Sequence, residues 1–168
     1  MEDFLKEIER ALEYKLYFIA LSSTLTLPDI CGALSSENNK ASGSKYKEWY
    51  DKYAFNKCST ILDGHSCYKF RCSLLHQGST IDSSEKNKSN FSRVLFLEPN
   101  EMILMHDNVI DNALNLDINL FCKGMIDAVR YWFAEVSEYE NFKKNYNNIV
   151  KRHLNGLSPF IGGITVIS

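Results

Sequence analysis

Residues 118–136 constrain the fold of this chain more than any other segment. Ile118, Phe121, Cys122, Met125, Ile126, Val129, Trp132, Phe133 and Val136 recur there by threes and ones. That is the period of an α-helix with one wide apolar face, and Asp117 just before it suits an N-cap. At 1.5 Å per residue such a helix is roughly 28 Å long and needs partners along its whole face. The rest of the chain supplies them. Phe4, Ile8, Ala11, Leu12, Leu16 and Ile19 keep helical spacing, which predicts a helix over residues 2–22. Pro28 suits the first turn of a short helix over residues 28–34, where its missing N–H costs nothing. Residues 45–55 place Tyr46, Trp49, Tyr50 and Tyr53 on a stripe that core packing explains better than base stacking. Asp63 and Gly78 bracket a helix over residues 64–76 as N-cap and C-terminal stop. A polar helix over residues 141–153 leads into an extended, glycine-containing tail at 157–168.

Two polar stretches, residues 35–44 and 79–90, read as exposed loops. The second follows the 64–76 helix directly, which makes it a candidate flap. Residues 93–97 and 102–105 are short apolar runs joined through Pro99-Asn100. Proline cannot occupy a type I′ turn, so they predict a hairpin with a wider loop, spanning 93–106. No repeat or linker divides the 168 residues. The expectation is one mainly α domain, a helical bundle with a small inserted β-hairpin.

Charge and cysteine content narrow the function. Met1-Glu2-Asp3 is acidic where an export signal is basic, and polar residues interrupt the apolar runs before the roughly 20 residues of a membrane span. A cytoplasmic protein without membrane attachment is expected. Five cysteines without a CxxC pair point to reduced, buried thiols. A net charge of −2 argues against general DNA coating. Residues 40–76 nevertheless carry seven basic residues against three acids, a local +4 that can attract a phosphodiester.

The chemistry converges on Arg71 and His76. Five helical steps leave them roughly 140° apart, yet a long arginine can wrap toward the imidazole. A histidine can take a proton from a ribose 2′-OH or return one to a leaving oxygen. A guanidinium beside it grips phosphate with two prongs and opposes charge that builds in the transition state. The pair requires neither metal nor cofactor. The plainer reading has Arg71 paired with a buried or interface carboxylate and His76 satisfying the helix's last carbonyls. Cys58, His65, Cys67, Cys72 and His76 are zinc-ligand types, but their spacing matches no standard zinc pattern. Cys72 as a nucleophile activated by His76 lacks a recognisable orienting third group.

The run Tyr68-Lys69-Phe70-Arg71-Cys72-Ser73-Leu74-Leu75-His76-Gln77-Gly78 resembles the signature helix of the HEPN superfamily, whose motif is Arg, four to six residues, then His. The resemblance extends to the order of a long N-terminal helix, a mid-chain motif helix and a long helix after it. It implies a HEPN-like helical bundle that dimerises through the motif helix, with Phe70 and Leu74 as apolar surface near the contact. It also implies a metal-independent endoribonuclease of toxin–antitoxin or antiviral defence type, acting on RNA, with Arg71 and His76 as catalytic residues and an antitoxin protein as partner. Ser73, Cys72 and Lys69 stand as auxiliary positions. The residue after the motif arginine is commonly Asn, Asp or His in that superfamily, and here it is Cys72. Some HEPN domains are non-catalytic dimeric interaction or nucleotide-binding modules, which is the alternative function.

Overall fold

A computed structural model describes residues 1–80 and 91–168. The fold is mainly α, with six α-helices and small sheets among the described residues. The helix predicted over residues 2–22 is two helices. Helix α1 (Glu2–Glu13) ends where Lys15 turns into the left-handed region at φ 57°, and Leu16 N–H reaches back to Ala11 C=O at 2.7 Å. Helix α2 (Tyr17–Leu34) then runs straight through Pro28. An interior proline removes one backbone bond and crowds the preceding turn. Burial outweighs that cost, because Ala20, Leu21, Leu25, Leu27, Pro28 and Cys31 are all buried. One helix therefore covers the break expected between residues 22 and 28. As one helix of 18 residues with mean hydropathy 1.3, α2 has the length and composition of a membrane span, and half of it is buried in this fold.

Helix α3 (Gly43–Trp49) is capped by Ser42 and widens at its end into a π-helical turn, Tyr50–Ala54. Tyr46, Trp49 and Tyr50 are buried, so the aromatic stripe belongs to the core. Helix α4 (Gly64–Gln77) follows. Helix α5 (Ile118–Val136) begins at Asp117, whose Oδ1 accepts Leu120 N–H at 2.9 Å. It carries fully buried Trp132, against which Trp49 and Phe142 pack edge-on with centroids at 6.1 and 5.5 Å. At Gly124 the helix presses on the backbone of residues 57–58, with no room for a side chain. Arg130 ties α5 to α1 through Glu2 at 2.7 Å and Glu9 at 2.8 Å.

The hairpin expected at 93–106 is absent. Strand β1 (Arg93–Leu97) pairs in parallel with β3 (Ala113–Asp117), from Arg93↔Ala113 to Leu97↔Asp117. Strand β2 (Asn108–Ile110) lies antiparallel on the far side of β3. Residues 102–105 form no strand; Met102 and Leu104 are 90% and 75% exposed. The core chooses β3 because its Leu114 and Leu116 are fully buried and its last residue caps α5. Asp111 and Asn112, at φ 48° and 62°, make the two-residue turn from β2 to β3, as a type I′ turn requires.

Helix α6 (Glu140–Tyr146) stops seven residues short of the predicted 141–153. The tail is a ribbon rather than one extended strand. Strands β4 (Arg152–His153) and β7 (Val166–Ile167) pair at its base, and β5 (Gly156–Leu157) and β6 (Ile161–Gly162) pair further out.

Candidate functional site

Helix α4 is held rigidly at both ends. Asp63 Oδ1 accepts Ser66 N–H at 2.8 Å, and Asp51 Oδ1 accepts Gly64 N–H at 2.6 Å. At the other end Gly78 adopts φ 63°, Gly78 N–H bonds to Leu74 C=O, and Ser79 N–H bonds to Ser73 C=O. This left-handed αL cap occupies helix carbonyls that His76 was otherwise available to satisfy. Cys67 and Phe70 bury the core-facing side of α4, and Phe70 packs tilted against Phe96 with centroids at 5.3 Å. Phe70 is 4% exposed and Leu74 packs partly buried on the core. The apolar surface expected of Phe70 for a dimer contact is therefore spent within the subunit.

Arg71 and His76 meet despite their angular separation. Arg71 Nη1 lies 3.1 Å from His76 Nε2. A guanidinium only donates, so Nε2 is the acceptor and the imidazole carries its proton on Nδ1. His76 is exposed at the end of the helix, whereas the Arg71 side chain is 19% exposed. The other prong, Nη2, lies 2.6 Å from Asp29 Oδ2 on α2. Arg71 Nε is buried without a hydrogen-bond partner. The guanidinium thus bridges a half-buried carboxylate and an exposed imidazole.

The electrostatics of the carboxylate are informative. Burial lifts the Asp29 carboxyl above its ordinary value, although the charge of Arg71 and a weaker effect from His76 pull it down. Arg71 is itself held above its usual value: Asp29 and Cys72 outweigh a desolvation that acts the other way. Burial thus works against the ionised form of Asp29, and the Arg71 guanidinium is what opposes it. Cys72 Sγ sits 3.9 Å from Arg71 Nη1. A hydrogen bond with Cys72 raises the Tyr68 phenol above its ordinary range, placing a further polar group beside the pair.

Asp29 is not among the residues that the motif spacing singles out. Its signal was available: it is the single charged residue in an 18-residue apolar helix. Ser73, partly exposed, uses its carbonyl in the helix cap, and Lys69 is likewise partly exposed on α4. Residues 81–90, most of the stretch read as a flap, lie outside the described residues. Among the described residues no group of three His, Cys, Asp or Glu side chains is arranged to hold a metal ion. His106, for which sequence offered no partner, has a structural post: Nε2 bonds to Cys58 C=O at 2.8 Å, and Nδ1 accepts Asp117 N–H at 3.2 Å. No protein-family model matches this chain, and neither the curated proteins nor the solved structures gave a match.

Proposed function

We propose that this chain is a metal-independent endoribonuclease with a HEPN-like bundle, acting in the cytoplasm as a homodimer joined along α4. The observation that carries the reading is the 3.1 Å contact between Arg71 Nη1 and His76 Nε2, with Asp29 holding the guanidinium's other prong. In the resting pair the arginine donor covers the lone pair of the base. An RNA phosphate draws Nη1 to itself and uncovers Nε2, while Asp29 keeps Nη2 in place. His76 Nε2 then takes the 2′-OH proton as the 2′-oxygen attacks phosphorus. The bond to the 5′-oxygen breaks, and that oxygen recovers a proton from an imidazolium. The products are a 2′,3′-cyclic phosphate and a 5′-hydroxyl. Arg71 opposes the charge that builds on the phosphoryl oxygens. A role in toxin–antitoxin or antiviral defence, with an antitoxin protein as partner, follows from the same resemblance.

A second reading has its own support. Arg71 is mostly buried and ion-paired, and Cys72 stands where HEPN nucleases commonly have a polar residue, which suits a dimeric interaction or nucleotide-binding module. End-group analysis separates the two. Incubation of purified chain with single-stranded RNA in EDTA is expected to yield cyclic-phosphate or 3′-phosphate ends. Cleavage that needs magnesium, or that treats DNA equally, removes the proposed mechanism; intact RNA favours the interaction module.

A further inference from the structure

The C-terminal ribbon has an apolar surface that its own subunit does not cover. Leu154, Phe160, Ile161, Ile164 and Ile167 are 69%, 82%, 48%, 56% and 71% exposed. Among the described residues, every hydrogen bond made by residues 152–168 stays within 151–168. Lys151 pairs with Ser168 at the base, and Phe160 N–H closes the tip onto Leu157 C=O. Together these five side chains expose on the order of 600 Å², somewhat less than the ~800 Å² each partner brings to a standard interface.

Charge says what covers it. Residues 141–168 hold four Lys and Arg and no Asp or Glu, leaving residues 1–140 with fifteen basic and twenty-one acidic residues, a net of −6. A body of that sign attracts Lys151 and Arg152 at the base of a second copy's ribbon. The body also carries a suitable seat. A groove of about 630 Å³ between α1 and α5 sets Glu9, Glu13 and Asp127 against the single cation Lys123, over the buried Leu12 and Ile126.

We infer that residues 151–168 form an exchange arm that docks in the α1/α5 groove of a second copy of this chain. The contact covers the exposed side chains of the arm and brings Lys144 of α6 and Arg152, both exposed, near the acids of the groove. It is independent of the ribonuclease reading and of any contact along α4.

The test uses the full chain with a photo-cross-linking residue in place of Phe160, mixed with ¹⁵N-labelled wild type. Irradiation and mass spectrometry are expected to join unlabelled arm peptides to labelled peptides of α1 or α5. Phe160→Asp, at an exposed position, is expected to raise the self-dissociation constant measured by light scattering at least tenfold, and Glu13→Lys with Asp127→Lys to do the same. Cross-links confined to one copy, or to surfaces other than α1 and α5, overturn the proposal. So does Phe160-dependent binding of the wild type to anionic phosphatidylserine vesicles without self-association.

Discussion

Removal of the Arg71 guanidinium probes the charged bridge most sharply. Arg71→Ala leaves Asp29 half-buried without its cation. Stranding one member of a fully buried ion pair costs roughly 3–5 kcal/mol. Here the two side chains are 19% and 15% exposed, so water reaches the survivor, and about 2 kcal/mol is expected. For a chain of this size that lowers Tm by about 4–8 °C. The pH dependence carries a definite sign. Burial already holds the folded Asp29 carboxyl above its ordinary value, and losing Arg71 raises it further. A carboxyl with a raised folded value binds its proton more tightly in the folded chain. Its contribution is favourable below about pH 4 and is lost as pH rises through the folded value. The deficit of Arg71→Ala should therefore be small near pH 4 and full at pH 7. Asp29→Asn added to Arg71→Ala removes the stranded charge and should restore at least half of the loss. Calorimetric melts of the wild type, both single variants and the double variant at the two pH values measure all of this. Equal Tm for Arg71→Ala and wild type at pH 7, or a double variant no better than Arg71→Ala, refutes the reasoning.

Other outcomes follow from packing. Cys67 and Cys122 are pushed up to about 12 by burial, and Cys31 and Cys58 are also buried and raised, so at pH 8 Cys72 should be the thiol that a water-soluble disulfide reagent labels in the native chain. Fast labelling of two or more thiols before unfolding would contradict that packing. Gly124→Ala should destabilise by about 1–3 kcal/mol despite alanine's better helix propensity. The added Cβ would sit 2.6 Å from Lys57 C=O and 2.8 Å from Cys58 Cα, both backbone atoms. An unchanged or higher Tm would show that α5 and residues 57–58 are not in contact.

What could be read from the sequence was local. Asp63, Gly78 and Asp117 declare the ends of α4 and α5 through side-chain caps and a left-handed glycine, and those signals need no tertiary context. The periodicity of residues 118–136 likewise reports a burial that every neighbour shares. Three features depended on distant partners and were misread. Lys15 breaks the first helix by a positive φ that a lysine does not advertise. Pro28 sits inside α2 because packing on several sides outweighs the lost backbone bond. The sheet chose residues 113–117 over the more hydrophobic 102–105, since burial of Leu114 and Leu116 and the Asp117 cap are decided together. At the site, Arg71 and His76 were visible as a spacing on one helix. Their 3.1 Å meeting depends on the rotamer of a long side chain, and Asp29 is 42 residues away along the chain.

If His76 moves a proton in RNA cleavage, the cleavage rate of His76→Ala against wild type reports it. A loss of roughly 100- to 10,000-fold is expected with the melting curve nearly unchanged, because the imidazole is exposed at a helix end. Arg71→Lys should rescue poorly in the same assay, since an ammonium keeps the charge without the two-pronged fork. Wild-type chain that leaves RNA intact, or His76→Ala that cleaves at the wild-type rate, would contradict it.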